Sequence, residues 1–357
     1  MIYVTMTSNT YIIPKINSKM LITPICSSDS QSPIISTSLY NCFLTTQSLI
    51  SHISLHDLEI TYTDILRYII PNYLLVSGIP GKNTFINKLV FKSVVYFDLV
   101  EIYNTHHIID NKVAINSLHV GTNAEESKES LFSKHTIRYD GENHICLAQL
   151  NNVTYKQIRI LKYNTIFYEI EDVSNVNTYV IQLIQVLMLI INNQSENGSC
   201  IIKINYTFHK PVIDILFILS SMYGKVYITK PTSSNIVTYE KYIVCCGFEE
   251  ETRESNKLNY TTLFHFLRKY SKEYNITRLL EYDLPCSFMN KIDDINLIYG
   301  QQQLEFMNTI ISIMKHKNKI DRLEQTLKLN IQKTIQWCVR NNVPYNREYS
   351  EKTNLFL

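Results

Sequence analysis

The chain has little glycine or proline and no clear excess of either charge. Its 357 residues include only 8 Gly and 9 Pro, which excludes collagen-like and low-complexity architectures. Lys and Arg total 34 against 32 for Asp and Glu, so the net charge of +2 does not by itself indicate a nucleic-acid-binding protein. With 45% hydrophobic residues, the chain is too apolar to be mostly disordered. We therefore expect a globular protein, longer than the roughly 100–200 residues typical of one core.

The eight cysteines show no pattern typical of a metal site or a disulfide framework. The sequence contains no Cys-x-x-Cys pair and no His/Cys spacing of the kind that binds zinc. Reduced cysteines favour the cytoplasm. The first residues do not form a basic flank before an apolar segment, and the apolar stretch 179–191 is short and interrupted by Gln182 and Gln185. The sequence thus predicts a soluble cytoplasmic protein with no metal and no membrane partner.

Apolar runs of strand and helix type alternate along the middle of the chain, which is typical of an α/β sheet. In the first half we expect a strand at 73–76, a helix at 84–91 and a second strand at 93–100. In the second half the predicted strands are 164–170, 198–204, 225–228 and 241–246, and the predicted helices are 177–192 and 212–223. The resulting prediction is an irregular N-terminal extension (1–60), an α/β domain (61–250) and a helical C-terminal extension (251–357).

A Pro-Gly turn follows the first predicted strand. Gly78, Pro80 and Gly81 would let a ligand approach the backbone, because glycine has no Cβ and ligands bind at the carboxyl ends of strands in open α/β sheets. An ordinary strand-to-helix turn explains the segment equally well, and a nucleotide-hydrolysing P-loop is a minor alternative. Asp98 and Asp140 are candidates to bind the ribose and adenine of a cofactor, although a solvated charge at a strand end is the stronger interpretation of Asp98.

Lys203 stands inside an apolar strand, between Ile202 and Ile204. An ammonium group is costly there unless it reaches a cleft or a carboxylate, and Asp172 and Glu240 are expected at the same edge of the sheet. A desolvated lysine flanked by acids can exchange a proton with a substrate hydroxyl. The alternative is a lysine on an edge strand whose ammonium extends into solvent.

Three short motifs follow one another between residues 196 and 248. They are Gly198 with Lys203, Lys230-Pro231 with Ser233-Ser234, and Glu240 with Tyr242 and Val244. In this order they resemble the FtsJ/RrmJ-like ribose 2′-O-methyltransferases, most closely the version encoded by asfarvirus-like large DNA viruses.

The resemblance implies a Rossmann-like methyltransferase sheet with helices on both faces and S-adenosyl-L-methionine (SAM) as the cofactor. The family methylates a ribose 2′-hydroxyl, often in the mRNA cap, with a Lys-Asp-Lys-Glu tetrad. By resemblance, Asp172 is the tetrad Asp, Lys203 the base and Glu240 the residue that orients the base. No lysine between residues 47 and 73 is available as the first tetrad member.

Two functions are therefore expected as alternatives. The first is a SAM-dependent mRNA cap ribose 2′-O-methyltransferase. The second is a catalytically degenerate subunit, RNA-binding or regulatory, of a capping or polymerase complex, similar to the small subunit of poxvirus capping enzymes. An AT-rich codon bias typical of viral genomes would place either one in the host cytoplasm or the virion.

RNA with a capped 5′ end is the expected partner in both cases. Lys230 could neutralise phosphates together with a basic cluster of the C-terminal extension. That cluster, Lys315, Lys317, Lys319 and Arg322, falls within about two helical turns, and a solvated helix face would have the same pattern.

Overall fold

A computed structural model describes residues 9–17, 20–29, 31–54, 62–79, 84–89, 92–150, 158, 161–171, 175–271, 273–315 and 320–348. The strands are β1 (Asn9–Ile13), β2 (Ile25–Ser27), β3 (Ser117–Val120), β4 (His144–Leu147), β5 (Tyr163–Glu169), β6 (Gln194–Ile204), β7 (Tyr223–Lys230), β8 (Lys241–Phe248) and β9 (Asn275–Arg278). The α-helices are α1 (Thr37–Ser54), α2 (Tyr62–Ile69), α3 (Leu74–Ser77), α4 (Val94–His106), α5 (Ala124–Lys134), α6 (Val176–Asn193), α7 (Lys210–Met222), α8 (Glu250–Lys269), α9 (Cys286–Lys315) and α10 (Ile320–Asn341).

Seven of the strands form one mixed sheet in the order β1-β7-β8-β6-β5-β3-β4. Strands β4, β3, β5 and β6 are parallel to one another. Strand β8 is antiparallel to both β6 and β7. Strand β1 adds to the outer edge of β7. The α/β prediction is confirmed, and the arrangement is compatible with a Rossmann-like fold.

Helices cover both faces of the sheet because alternate residues of each strand point to opposite sides. On β6, Cys200 and Ile202 pack in the core that contains α6 and α7, whereas Ile201 packs in the core that contains α4 and α5. The same alternation on β8 places Ile243 in the first core and Tyr242 in the second. Side chains of neighbouring strands that share a face can therefore meet side chains from the helices above them.

Helix α6 is the only helix of the described chain that is long and apolar enough to span a bilayer. Two thirds of that stretch are buried inside the protein, where Leu183, Leu187 and Ile190 belong to the main core. Asn175 begins the helix by accepting a hydrogen bond from the backbone N–H of Asn177 at 2.7 Å. It is a core helix of the α/β sheet, as the sequence predicted for a soluble protein.

The first half of the chain differs from the prediction. Residues 93–100 form helix α4 rather than a strand, because the Ser93 hydroxyl caps the backbone N–H of Tyr96 at 3.3 Å. Residues 73–76 lie in a short helical segment and not in a strand, and residues 84–89 form no helix. The first parallel strand is β3, which is only four residues long and for which the sequence predicted no strand. The N-terminal region is also more regular than predicted, since it contains β1, β2 and α1.

The C-terminal helices were expected, and they pack onto the sheet domain. Gln303 of α9 donates to the backbone oxygen of Val237 at 2.6 Å, and Thr334 of α10 donates to that of Pro71 at 2.7 Å. Helix α9 also packs closely against α1 at Gly300. A Cβ at this position would lie only 2.4 Å from the side chain of Leu39. These helices therefore contribute directly to the position of the loop between β7 and β8.

Candidate functional site

Lys203 is held between two carboxylates at the end of the parallel strands. The register of β5 and β6 places Glu169 opposite Lys203, and Lys203 Nζ lies 3.0 Å from Glu169 Oε1 and 3.1 Å from Glu240 Oε1. The Lys203 side chain is only 14% exposed. Burial by itself lowers the pKa of the ammonium, but the charges of Glu240 and Glu169 outweigh it and raise that pKa above its usual value. Lys203 is therefore protonated at neutral pH.

Helix α4 brings a third carboxylate, Asp98, to the same face of the sheet. Asp98 Oδ1 accepts a hydrogen bond from Ser233 Oγ at 2.5 Å, and Oδ2 accepts one from the Tyr242 hydroxyl at 2.8 Å. Burial raises the pKa of Asp98 to about 7 against the effect of these hydrogen bonds, and the charge of Glu240 raises it further while Lys203 lowers it. Tyr242 is opposite Lys203 in the β6–β8 register, so Asp98 belongs to the same cluster.

Lys230 stabilises the loop 231–240 through hydrogen bonds to its backbone. The Lys230 ammonium donates to the backbone oxygens of Thr238 at 2.8 Å and Glu240 at 2.7 Å. Burial lowers the pKa of Lys230 to about 8. Two of its three donors are thus used inside the protein, where they hold Glu240 beside Lys203. Its predicted role in binding RNA stays a prediction.

The start of the same loop is fixed by Glu101 of α4. The backbone N–H of Thr232 donates to Glu101 Oε1 at 3.0 Å, and the Thr232 hydroxyl donates to Oε2 at 2.8 Å. Trp337 Nε1 from α10 donates to Glu101 Oε2 at 2.6 Å. Burial raises the pKa of Glu101, and these donors oppose the rise. One carboxylate therefore joins α4, the loop and the C-terminal helix.

The strand order changes direction between β3 and β5, where open α/β sheets bind ligands. Strand β3 is followed by Gly121, whose φ of +130° is unfavourable for residues with a Cβ. A Cβ there would lie 2.5 Å from Glu169 Cβ. The backbone N–H and the side-chain amide of Asn123 donate to the Glu169 carboxylate at 2.9 and 3.0 Å. The Glu169 side chain consequently lies across this glycine turn.

The described cofactor-binding candidates are not at the carboxyl ends of neighbouring strands. Gly78 follows helix α3 instead of a strand, and Asp98 lies in helix α4 rather than at a strand end. Asp140 is exposed and precedes the amino end of β4, whereas open α/β sheets bind ligands at the carboxyl ends of their strands. Pro80 and Gly81 lie outside the described residues. Binding of SAM by these positions stays a prediction, but their expected placement at neighbouring strand ends is wrong for Gly78 and Asp98.

The catalytic prediction is met in part by the geometry. Lys203 and Glu240 come together as expected, whereas Asp172 lies outside the described residues. The second carboxylate that the structure shows beside Lys203 is Glu169, which was not among the residues expected from the sequence. The overlooked signal is the position of Glu169 as the last residue of a buried strand, where its partner is the lysine on the neighbouring strand. Of the C-terminal lysines, Lys315 is exposed at the end of α9, and Lys317 and Lys319 lie outside the described residues.

No protein-family model and no curated protein matches the chain significantly. Within the described residues there is no group of three or more His, Cys, Asp or Glu side chains that could hold a metal ion.

Proposed function

We propose that this chain is a methyltransferase-fold subunit of an RNA-capping assembly that binds capped RNA without transferring a methyl group. The observation that carries the proposal is the Glu169 side chain, which lies across the Gly121 turn while paired with Lys203. In dinucleotide-binding sheets this turn approaches the ligand backbone, and an acid after the next strand binds the ribose. Here residues 143–168, which include β4 and the chain that follows it, contain no Asp or Glu. The lack of such an acid supports the proposal that this turn does not hold SAM.

The side chain at the position that the resemblance gives to the first tetrad lysine also supports the proposal. The resemblance places that lysine on a helix upstream of the cofactor turn. With Gly121 as the turn after the first parallel strand, the preceding helix is α4, and the α4 side chain that reaches the cluster is Asp98. A carboxylate instead of a lysine leaves Lys203 as the cationic member among three acids. A lysine whose pKa is raised is also a poor general base at neutral pH.

The second candidate is an active cap 2′-O-methyltransferase. One observation favours it: Lys203 lies between two carboxylates at 3.0 and 3.1 Å, with Glu169 in the role that the resemblance gives to the tetrad Asp. This candidate requires a SAM site that includes residues outside the described ranges.

Calorimetric titration with SAM, followed by transfer of labelled methyl groups from SAM to capped RNA, separates the two candidates. We expect no saturable SAM binding at millimolar concentration and no transfer, while capped RNA binds. Saturable SAM binding together with a transfer that is lost in Lys203→Met would overturn the proposal. Lys225→Met is the matched control because Lys225 is exposed on β7, and Glu240→Gln tests the same cluster without removal of the lysine.

RNA binding is tested separately by its salt dependence. Each phosphate contact contributes about 0.7 to the slope of log K against log salt on single-stranded RNA. A variant with Lys315, Lys317 and Lys319 changed to Ala should therefore lose about 2 from the slope. An unchanged slope would mean that these lysines do not contact RNA phosphates, and absence of RNA binding by the wild type would contradict the proposed function itself.

A further inference from the structure

Helix α8 has an exposed face that combines an aromatic ring with cations. The opposite face is fixed in the protein, where Leu263 is fully buried and Asn259 Oδ1 accepts a hydrogen bond from the backbone N–H of Ile22 at 2.9 Å. The exposed residues recur every three or four positions, as neighbours on one side of a helix do. They are Lys257, Thr261, Phe264, His265 and Arg268.

The charge of this face has one sign. Residues 255–272 include three lysines and one arginine but no Asp or Glu. Arg268 and Lys269 are exposed in the last turn of the helix. The exposed face of α8 is therefore complementary to a negatively charged partner.

The Phe264 ring lies in a row of flat groups spaced four residues apart. The Tyr260 ring is nearly parallel to it, with an interplanar angle of 16°, but the centroids are 6.3 Å apart, so the two rings are offset. The Arg268 Cζ atom lies 5.6 Å from the Phe264 centroid, within the range of a cation–π contact. Phe264 is nevertheless 37% exposed. Part of its ring is thus open to a planar group from outside the protein.

The C-terminal end of α8 lies close to the start of helix α6. The Asn177 side-chain amide of α6 donates to the backbone oxygen of Tyr274 at 3.0 Å and to the Tyr270 hydroxyl. Helix α6 begins a few residues after Glu169, the last residue of β5, which contacts Lys203. The end of α8 that carries Arg268 is therefore near the same edge of the sheet as the Lys203 cluster.

We propose that the exposed face of α8 binds a single-stranded segment of RNA, with a base stacked on Phe264 and phosphates bound by Arg268 and Lys269. Aromatic rings flanked by cations are typical of proteins that bind single strands, because every base has a flat face and every linkage carries a charge. The guanidinium has five N–H donors, so Arg268 can stay on the ring and still donate to a phosphate oxygen. This inference rests on the proposed function, which makes RNA the ligand, and adds a second contact surface for the strand.

Fluorescence anisotropy titration of a single-stranded RNA oligonucleotide with the full-length protein, over a salt series, tests the inference. Phe264→Leu keeps an apolar side chain but removes the ring, so binding should weaken at least fivefold with no change in the salt slope. Arg268→Ala should lower the slope of log K against log salt by about 0.7, because one phosphate contact is lost. Leu258→Ala is the matched control, since Leu258 is an exposed apolar residue of the same helix, and it should bind as the wild type does.

An oligonucleotide of the same length without bases separates stacking from attraction between charges. It should bind the wild type and Phe264→Leu equally, because it has no base to lose contact with the ring. If Phe264→Leu binds the RNA as tightly as the wild type, or weakens the oligonucleotide without bases as much as the RNA, the inference is wrong. Phe264→Leu that weakens a polyaspartate peptide but not the RNA would assign this face to an acidic protein segment instead. A wild type that does not bind RNA would contradict the proposed function, so the two failures are distinguishable.

Discussion

Substitution of Asp98 by asparagine should change how the stability of the protein depends on pH. Burial raises the pKa of Asp98 from 3.8 to about 7 in the folded protein. Between these values the folded protein holds a proton on Asp98 that the unfolded chain releases, so the free energy of unfolding decreases as the pH rises through this window. A shift of about 3 units corresponds to about 4 kcal/mol. The side-chain amide of the Asp98→Asn variant cannot ionise, so the variant does not show this decrease.

Urea unfolding of the wild type and of Asp98→Asn at pH 5, 6, 7 and 8 measures the effect. The variant should be less stable than the wild type, or equal to it, at pH 5, and should gain on it by about 2.5 kcal/mol between pH 5 and pH 8, because this range covers about two units of the shift. The exposed Asp140→Asn is the control, and its curve should run parallel to that of the wild type. If the difference between Asp98→Asn and the wild type stays constant with pH, the raised pKa of Asp98 is refuted.

Three further substitutions test the contacts around the site, each by urea unfolding at pH 7. Trp337→Phe removes the donor to Glu101 and should cost about 1.5–3 kcal/mol, and an unaltered free energy of unfolding would show that this hydrogen bond contributes nothing. Gly121→Ala should destabilise by at least about 1–3 kcal/mol, because its Cβ meets the Glu169 side chain at a positive φ; wild-type stability would contradict this close approach. Lys203→Met leaves two carboxylates without their cation and should cost about 3–5 kcal/mol, much of which Glu169→Gln in the same chain should restore.

The second half of the sheet could be predicted because its apolar runs have the lengths of strands and helices. The segments that became β5, β6 and β8 are short apolar runs bounded by polar residues, and α6 is a long apolar run between two of them. The pairing of Lys203 with Glu240 followed from a simple physical requirement, that an ammonium inside an apolar strand needs a carboxylate.

The first half could not be predicted in the same way. Helix α4 is buried on nearly all sides, so its apolar residues show no helical period, and its β-branched residues suggest a strand. Strand β3 is too short to show a period of two, and the importance of Gly121 depends on that strand. Glu169 was missed because its contact with Lys203 arises from the register between β5 and β6, which only the folded sheet determines.

The pairing of the edge strand β1 has a consequence for how the protein folds while it is being synthesised. It pairs with β7, and Thr10 is 219 residues before its partner Thr229. At about 5–20 residues per second, the ribosome needs roughly 10–45 s to reach that partner. The hydrogen bond between Trp337 and Glu101 joins residues that are even farther apart in the sequence, by 236 positions. Contacts this distant along the chain slow folding, because the ends of a long loop must meet before the contact stabilises them. During synthesis the N-terminal strand is therefore exposed and unpaired, and a chaperone that covers it should raise the yield of native protein.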